Sequence, residues 1–428
     1  MRLPGSSGMH DTVMLWLAAI IAGVLGAGAM FIFHALIQLA QWLLTQHTGS
    51  LVQDARALPP WMRALVPAVG GVLAGLVLDL GKRWADRPHI DYMDAAREGT
   101  TVLNDRSNAV RAVSSLLSIG SGASIGREGP MVQLSAWFAS WLARYYPVRE
   151  RLGNAILVCG IAAGIASAYH APLAGVVFVL ELALGFFARH ALAPLLLATV
   201  TACTLIFWAV EPRPLYVVPH LPLMPVTPPT LLAALCLGLV AGGLGLLLLK
   251  FIELARRGFA CVPQLWLRLG LGGLIVGLVS INVPEVWGNG YSEVSAVLAG
   301  SVAWKWVAIV LAAKLITTIA STSSGAIGGI FTPTLFVGAT SGFLFGVAIT
   351  ALGVGGMGSD QVSMAVIGMA SVLAAVTDAP LMAIVMTLEL TGQFQLALPV
   401  MLACGVAYAV STHFGIKPLY GNPIEHHA

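Results

Sequence analysis

The sequence predicts an all-α polytopic membrane protein made of two related halves, and three observations carry that prediction. Charged residues are scarce, long stretches hold none, and the chain repeats its own motifs at a nearly constant offset. Of the 428 residues, 58% are hydrophobic and 10% charged, with a mean hydropathy of +0.87. A soluble domain carries about 25% charged residues, so the deficit points to lipid as the solvent.

The charge-free stretches give the spans. No Asp, Glu, Lys or Arg occurs between Asp11 and Asp54, Arg151 and Glu181, Arg213 and Lys250, Lys314 and Asp360, or Glu389 and Lys417. A spanning helix needs about 20 apolar residues, so several of these windows hold room for more than one crossing. The run after the N-terminal MRLPGSSGMHD is far longer than a signal-peptide core and is expected to be the first membrane helix, not a cleaved leader. Lys82, Arg83 and Arg87 cluster after the second hydrophobic region, whereas 47–60 holds only Asp54 and Arg56. The positive-inside tendency then puts the N-terminus, residues 1–11, in the cytoplasm.

Other classes are excluded by what the chain lacks. The formal net charge is +3 with no basic stripe, so no nucleic-acid partner is expected. Cys159, Cys203, Cys236, Cys261 and Cys404 stand singly in apolar stretches without a CxxC pair. They are expected to be small buried residues, not a metal site or a disulfide framework, and no metal or cofactor is expected.

The repeat organises the chain. SGASIGREGP at 121–130 aligns without gaps on SGAIGGIFTP at 324–333, so that Ser121, Gly122, Ala123, Gly126 and Pro130 fall on Ser324, Gly325, Ala326, Gly329 and Pro333. YHAPLAGVVFVLEL around Pro172 matches TDAPLMAIVMTLEL around Pro380, and GGVLAGLV from Gly70 matches GGLIVGLV from Gly272. Small residues are common in membrane helices and explain the composition, but not three pairs in one order at one offset. The expected halves are 12–210 and 228–420, joined by a Pro-rich linker at 211–227 and followed by a tail at 421–428. Two halves of one membrane chain, often of inverted topology, suggest a transporter whose site lies near the midplane at Gly/Pro-broken helices.

SGASIGREGP and SGAIGGIFTP fit that description. Each places glycines before a charge-poor stretch with a proline near its start, as a loop opening into a helix does. Unpaired N–H groups and the positive end of the helix dipole hold an anion there without a formal charge. A Lys or Arg would hold it too tightly for rapid passage.

Gly126-Arg127-Glu128-Gly129-Pro130 resembles the gating motif of the CLC chloride channel and transporter family, and Gly329-Ile330-Phe331-Thr332-Pro333 resembles its G-x-F-x-P motif. Lys417-Pro418-Leu419-Tyr420 is similar to the family segment that carries a pore tyrosine. The resemblance covers nearly the whole chain. It implies a CLC-type fold of two inverted repeats with broken helices meeting at the midplane, a homodimer in a bacterial inner membrane with cytoplasmic termini, and movement of chloride as a channel or a chloride/proton exchanger, with other small anions and protons as further candidates. Glu128 would be the gate, Gly126, Arg127, Gly129, Gly329, Ile330, Phe331 and Tyr420 the anion site, and Arg127 foremost a loop anchor. The anion would be held by the amides of Ile330 and Phe331 and the Tyr420 hydroxyl. The compact length resembles bacterial members that lack the cytoplasmic regulatory pair.

Two departures from the family pattern stand out. The G-S-G-I-P signature is missing where the chain reads Arg87-Pro88-His89-Ile90-Asp91-Tyr92-Met93, and by register Pro88 takes the place of the pore serine. Loss of that serine also occurs in the fluoride-handling branch, so fluoride is an alternative substrate. The internal proton acid of family antiporters aligns with Leu182; Glu181 stands beside it, with Glu389 as its mirror. Glu181 is therefore either a proton-path residue or a helix-end carboxylate.

Two other classes compete. Gly122-Ala123-Ser124-Ile125-Gly126 matches G-x-S-x-G, with His170 as an imaginable base for an intramembrane serine hydrolase. A nucleophile elbow needs a preceding strand, which an all-helical chain does not offer. A cation-coupled carrier of an organic solute would be expected to show more polar side chains at the broken helices.

Overall fold

The computed structural model describes residues 9–84, 89–145, 150–184, 191–210, 212–219, 227–353 and 360–415. Among them the chain is helical throughout, with no strand. The first part holds α1 Met9–Thr45, α2 Leu51–Ala57, α3 Pro60–Trp84, α4 Tyr92–Glu98, α5 Asp105–Gly120, α6 Glu128–Tyr145, α7 Glu150–Tyr169, α8 Pro172–Val179 and α9 Leu192–Ala209. There follow α10 Pro228–Ala260, α11 Leu265–Ser280, α12 Tyr291–Leu298, α13 Trp304–Ser324, α14 Phe331–Ala351, α15 Gln361–Thr377, α16 Pro380–Thr391 and α17 Ala397–His413.

Seven described segments are long and apolar enough to cross a membrane: Thr12–Thr45, Pro60–Trp84, Leu192–Ala209, Pro228–Ala260, Trp304–Ser324, Phe331–Ala351 and Phe394–His413. The run after residue 11 is thus one long helix, as its hydropathy predicts. Their outward faces carry Leu, Ile, Val and Trp such as Trp16, Leu43, Leu235 and Leu254, the surface that lipid covers. The cysteine expectation needs correction: Cys159, Cys203 and Cys404 are buried, whereas Cys236 and Cys261 are exposed. Cys236 lies in the part of α10 before Lys250, which is apolar all round, so the sequence does not tell its packed face from its outer one.

The chain divides into two compact units. One comprises Met1–Ala35, Ala85–Ala109 and Pro130–Arg213. In it α7 packs on α8 and α9, and Ala18, Ala139 and Ile156 form a core cluster. Its best-tied polar group is Asp105, on the first turn of α5. Trp137 Nε1 and Trp141 Nε1 donate to Asp105 Oδ1 at 2.6 and 2.8 Å. Arg144 donates to both carboxylate oxygens at 2.6 and 2.9 Å.

The other unit comprises Leu36–Trp84, Val110–Gly129 and Pro214–Ala428, so stretches from both expected halves lie within it. Its main contact explains why. The matched GGVLAGLV and GGLIVGLV lie on α3 and α11, and those helices pack on each other. A Cβ at Gly71 or Gly75 would overlap the backbone of Leu269 or Trp266, and one at Gly273 or Gly277 the backbone of Pro67 or Ala64. Glycine on both sides lets the two backbones touch, which is how dispersion holds helices together where lipid supplies no hydrophobic drive.

Backbone conformation repeats with the sequence. Gly122 and its counterpart Gly325 have φ +96° and +98°, and His170 and its counterpart Asp378 have φ +56° and +59°. Ala171 and Ala379, the residues before the prolines that open α8 and α16, adopt φ/ψ of −129°/82° and −133°/76°.

Asp105 yields a stability prediction. The Arg144 hydrogen bonds, helped by the two indole donors and opposed by burial, hold its carboxyl well below the ordinary 3.8. A depressed carboxylate stabilises the fold above the unfolded value and loses that contribution as pH falls through the folded one. Asp105→Ala should cost about 1–2 kcal/mol near neutral pH, reduced by solvent screening of this half-exposed pair. Thermal melts in detergent should show the gap between variant and wild type closing as pH drops below 3.8.

Candidate functional site

The two matched glycine segments form the same structure. After α5, Gly122 N–H donates to Ile119 O at 3.0 Å and Ala123 N–H to Ser118 O at 3.0 Å; after α13, Gly325 N–H donates to Thr322 O and Ala326 N–H to Ser321 O, both at 3.4 Å. Each helix thus ends on a left-handed glycine that satisfies its last carbonyls. Four residues on, the segments meet. Gly126 N–H donates to Gly329 O at 2.6 Å and Gly329 N–H to Gly126 O at 2.8 Å. This antiparallel bridge joins two sequence-equivalent residues, so a local two-fold relation runs through the pair. Two residues beyond it, at equivalent positions, Glu128 opens α6 and Phe331 opens α14.

The amides of Gly126 and Gly329 are therefore spent on each other, and these glycines contribute close approach. Gly129 is as close, with a Cβ there falling 3.3 Å from the Gly329 backbone. Ile330 precedes α14 as its N-cap without a side-chain cap, and both Ile330 and Phe331 are 4% exposed. First-turn amides have no partner inside their own helix, so the positions singled out for an anion occupy the terminus that suits one.

Glu128 is 6% exposed. Its Oε1 accepts a hydrogen bond from Asn289 Nδ2 at 2.7 Å, while Oε2 is buried without a hydrogen-bond partner. That free oxygen lies against Gly126, where a Cβ would overlap it. Arg127 flanks the carboxylate and is half-buried. The loop that supplies Asn289 is held from behind by Lys314. Its ammonium, 0% exposed, donates to Val286 O at 2.9 Å and Gly288 O at 2.6 Å. Trp287, 1% exposed, lies with its ring against Gly122.

Tyr216 packs beside this region, stacked on Tyr291 with ring centroids 5.2 Å apart. Burial first, then the charge of Glu128, pushes its phenol far up, so the ring stays neutral. Around the loop, Arg56 pairs with Glu285 at 2.6 Å, and the Glu285 hydrogen bond raises the Arg56 guanidinium further. Burial, reinforced by Glu285, raises the Glu293 carboxyl.

Ser124 does not have a hydrolase setting. It is 0% exposed, and its hydroxyl bonds the hydroxyls of Thr318 and Thr317, each at 3.1 Å. His170 sits in a left-handed turn with its ring edge-on to Phe207. Glu181 lies on a single π-helical turn, Leu180–Leu184, that continues α8, whereas its mirror Glu389 lies within regular α16. Arg97 Nε donates to Leu182 O at 3.0 Å on the same turn. Pro88 and Tyr420 lie outside the described residues.

Asn289 and Lys314 were not singled out from sequence. Asn289 stands between two glycines in Trp287-Gly288-Asn289-Gly290-Tyr291, a segment recognisable only as a glycine-rich helix start. Lys314 is the one charge inside α13 beyond its first turn, which was its available signal.

A family model described as voltage gated chloride channel matches residues 70–412. A chloride channel protein of Ralstonia nicotianae named ClcB-like is 47% identical, covering 96% of each chain. The voltage-gated ClC-type chloride channel ClcB of Salmonella dublin is 37% identical over 96% of this chain and 99% of its own. The chain belongs to the voltage-gated chloride channel, or CLC, family. Its fold is correspondingly like that of solved CLC proteins. A slow cyanobacterial Cl−/H+ antiporter superposes with a TM-score of 0.81 at 24% identity, covering 95% of both chains. A CLC-type fluoride/proton antiporter superposes with a TM-score of 0.78 at 25% identity, covering 97% of this chain and 100% of its own. The CLC fold accounts for the two inverted repeats and for broken helices at the Gly126–Gly329 junction.

Within this CLC site Gly126 is the sharpest steric constraint. Gly126→Ala should leave the chain folded, because the atom chiefly overlapped is the movable end of Glu128. It should dislodge the carboxylate and, on the gating role proposed below for Glu128, raise anion flux several-fold at neutral pH, read as efflux from proteoliposomes.

Proposed function

We propose that this CLC-family protein moves chloride across the membrane through a pathway gated by Glu128. The observation that carries the reading is a carboxylate 6% exposed on the first residue of a helix, at the bridge that brings two helix starts together. A helix N-terminus favours negative charge. An ionised Glu128 therefore fills ground that suits a permeating anion, and protonation removes its claim to it. The amides of Ile330 and Phe331 and the hydroxyl of Tyr420 are the donors we assign to the ion, with Gly126, Gly129 and Gly329 setting the close approach and Arg127 anchoring the loop.

Chloride is supported by the relatives at 47% and 37% identity, both named as chloride channels. Fluoride is the second reading, supported by the 25% identical fluoride/proton antiporter and by Pro88 in the place of the pore serine. Exchange of chloride for protons needs a second acid. Glu181 is our candidate, supported by its π-helical turn, a distortion often found at functional positions. We further assign the protein to a bacterial inner membrane as a homodimer with a cytoplasmic N-terminus, in line with its basic cluster at Lys82 and Arg83 and its bacterial relatives.

The test is ion efflux from proteoliposomes, with chloride and external pH recorded together. Chloride efflux with proton uptake establishes an exchanger, and Glu181→Gln should then abolish the proton arm alone. Chloride efflux without protons establishes a channel. Fluoride efflux without chloride overturns the substrate assignment. Glu128→Gln, which mimics the protonated carboxyl, should abolish the pH dependence of flux; a variant that keeps the wild-type profile overturns the gate.

A further inference from the structure

We propose that Asn289 is a positioning residue for the gate: its side-chain amide latches the Glu128 carboxylate in the closed seat. The inference rests on Glu128 being the gate.

The latch is oriented from both sides. Tyr291 N–H, at the start of α12, donates to Asn289 Oδ1 at 3.2 Å. That backbone N–H needs an acceptor, so it fixes which end of the amide is oxygen. The NH2 group is then turned to Glu128 Oε1, at 2.7 Å. The carboxylate requires the same assignment, so both partners agree on the orientation of the amide.

The latch is also held in place. Asn289 sits between Gly288 and Gly290, whose φ values of +71° and +89° are poorly open to other residues. Lys314 fastens the carbonyls of Val286 and Gly288 immediately upstream. The gating carboxylate is thus met by an amide on a pinned loop, and a pinned donor loses little freedom when it bonds.

The latch has no competitor among the described hydrogen bonds. Glu128 Oε2 has no partner, so Asn289 supplies the hydrogen bond that the buried carboxylate has. The other titratable groups facing it act differently. Arg127 adjoins it on its own segment. Tyr216 stays neutral in its buried position, and the Tyr291 hydroxyl is turned to Leu215 O at 2.9 Å. Lys314 is bound to carbonyls, and Glu285 is taken by Arg56. Glu293 lies on α12 near Glu285 and Lys314.

Hydrogen bonding by Asn289 favours the ionised, closed form. Removing it should let protons open the gate at higher pH. Asn289→Leu is the decisive variant, since it keeps the approximate side-chain size and removes the donor without adding a charge beside Glu128. Chloride efflux against external pH should show the midpoint raised by about one unit or more. Asn289→Ala should move it the same way. In a Glu128→Gln background neither substitution should change the profile. A wild-type midpoint in Asn289→Leu overturns the latch, and so does an Asn289 effect that persists without Glu128. Failure of the gate itself reads differently, as wild-type pH dependence in Glu128→Gln alone.

Discussion

Two hydrogen bonds between Gly126 and Gly329 are the constraint on which the site depends. They pair residues that occupy the same place in two related sequences, and a reciprocal pair between equivalents imposes a local two-fold relation. Gly126 faces the Glu128 carboxylate, and Gly329 faces the backbone of Gly129. With the pair closed, the helix starts at Glu128 and Phe331 are fixed two residues away on each segment. An anion site made of helix termini needs such fixing, because a dipole's end acts only within about a turn. The bridge supplies it without a charged residue.

The same relation recurs in packing. Gly70 is pressed against Ser121, and its counterpart Gly272 against Ser324, the counterpart of Ser121. The serines answer alike, each hydroxyl turned back to the carbonyl three residues earlier, Ser118 and Ser321, at 2.9 Å. Sequence similarity between the halves is therefore not residual composition. It marks positions where one steric problem occurs twice and has one solution.

This also explains what the sequence revealed. Helical class, spans, repeat and the two broken-helix segments were legible, because hydropathy and glycine placement are local or periodic signals. The left-handed turns at Gly122 and Gly325 follow from the same glycines. What was not legible depends on partners far apart in the chain. Asn289 and Glu128 are 161 residues apart, and nothing in the five residues around Asn289 announces a carboxylate. Asp105 finds Trp137, Trp141 and Arg144 across more than thirty positions. The π-helical turn at Glu181 has no mark in its immediate sequence either, since its mirror Glu389 sits in an identical Leu-Glu-Leu of a regular helix. The face of α10 that exposes Cys236 was hidden by uniform hydropathy.

Lys314 shows how the fold can keep a buried cation beside the anion site proposed at the two helix starts. An ammonium near a permeating anion would bind it tightly and slow its release. Here two of its three donors are taken by the carbonyls of Val286 and Gly288. Satisfying those hydrogens inside a membrane span offsets part of the cost of burying the charge, and Glu293 provides an opposing charge within range. The residue thus spends its charge on the shape of a loop. That loop delivers a neutral amide to the carboxylate of Glu128, the residue proposed as the gate, and a hydrogen bond to a charged group contributes only a few kcal/mol, on the order of what a protonation equilibrium can offset.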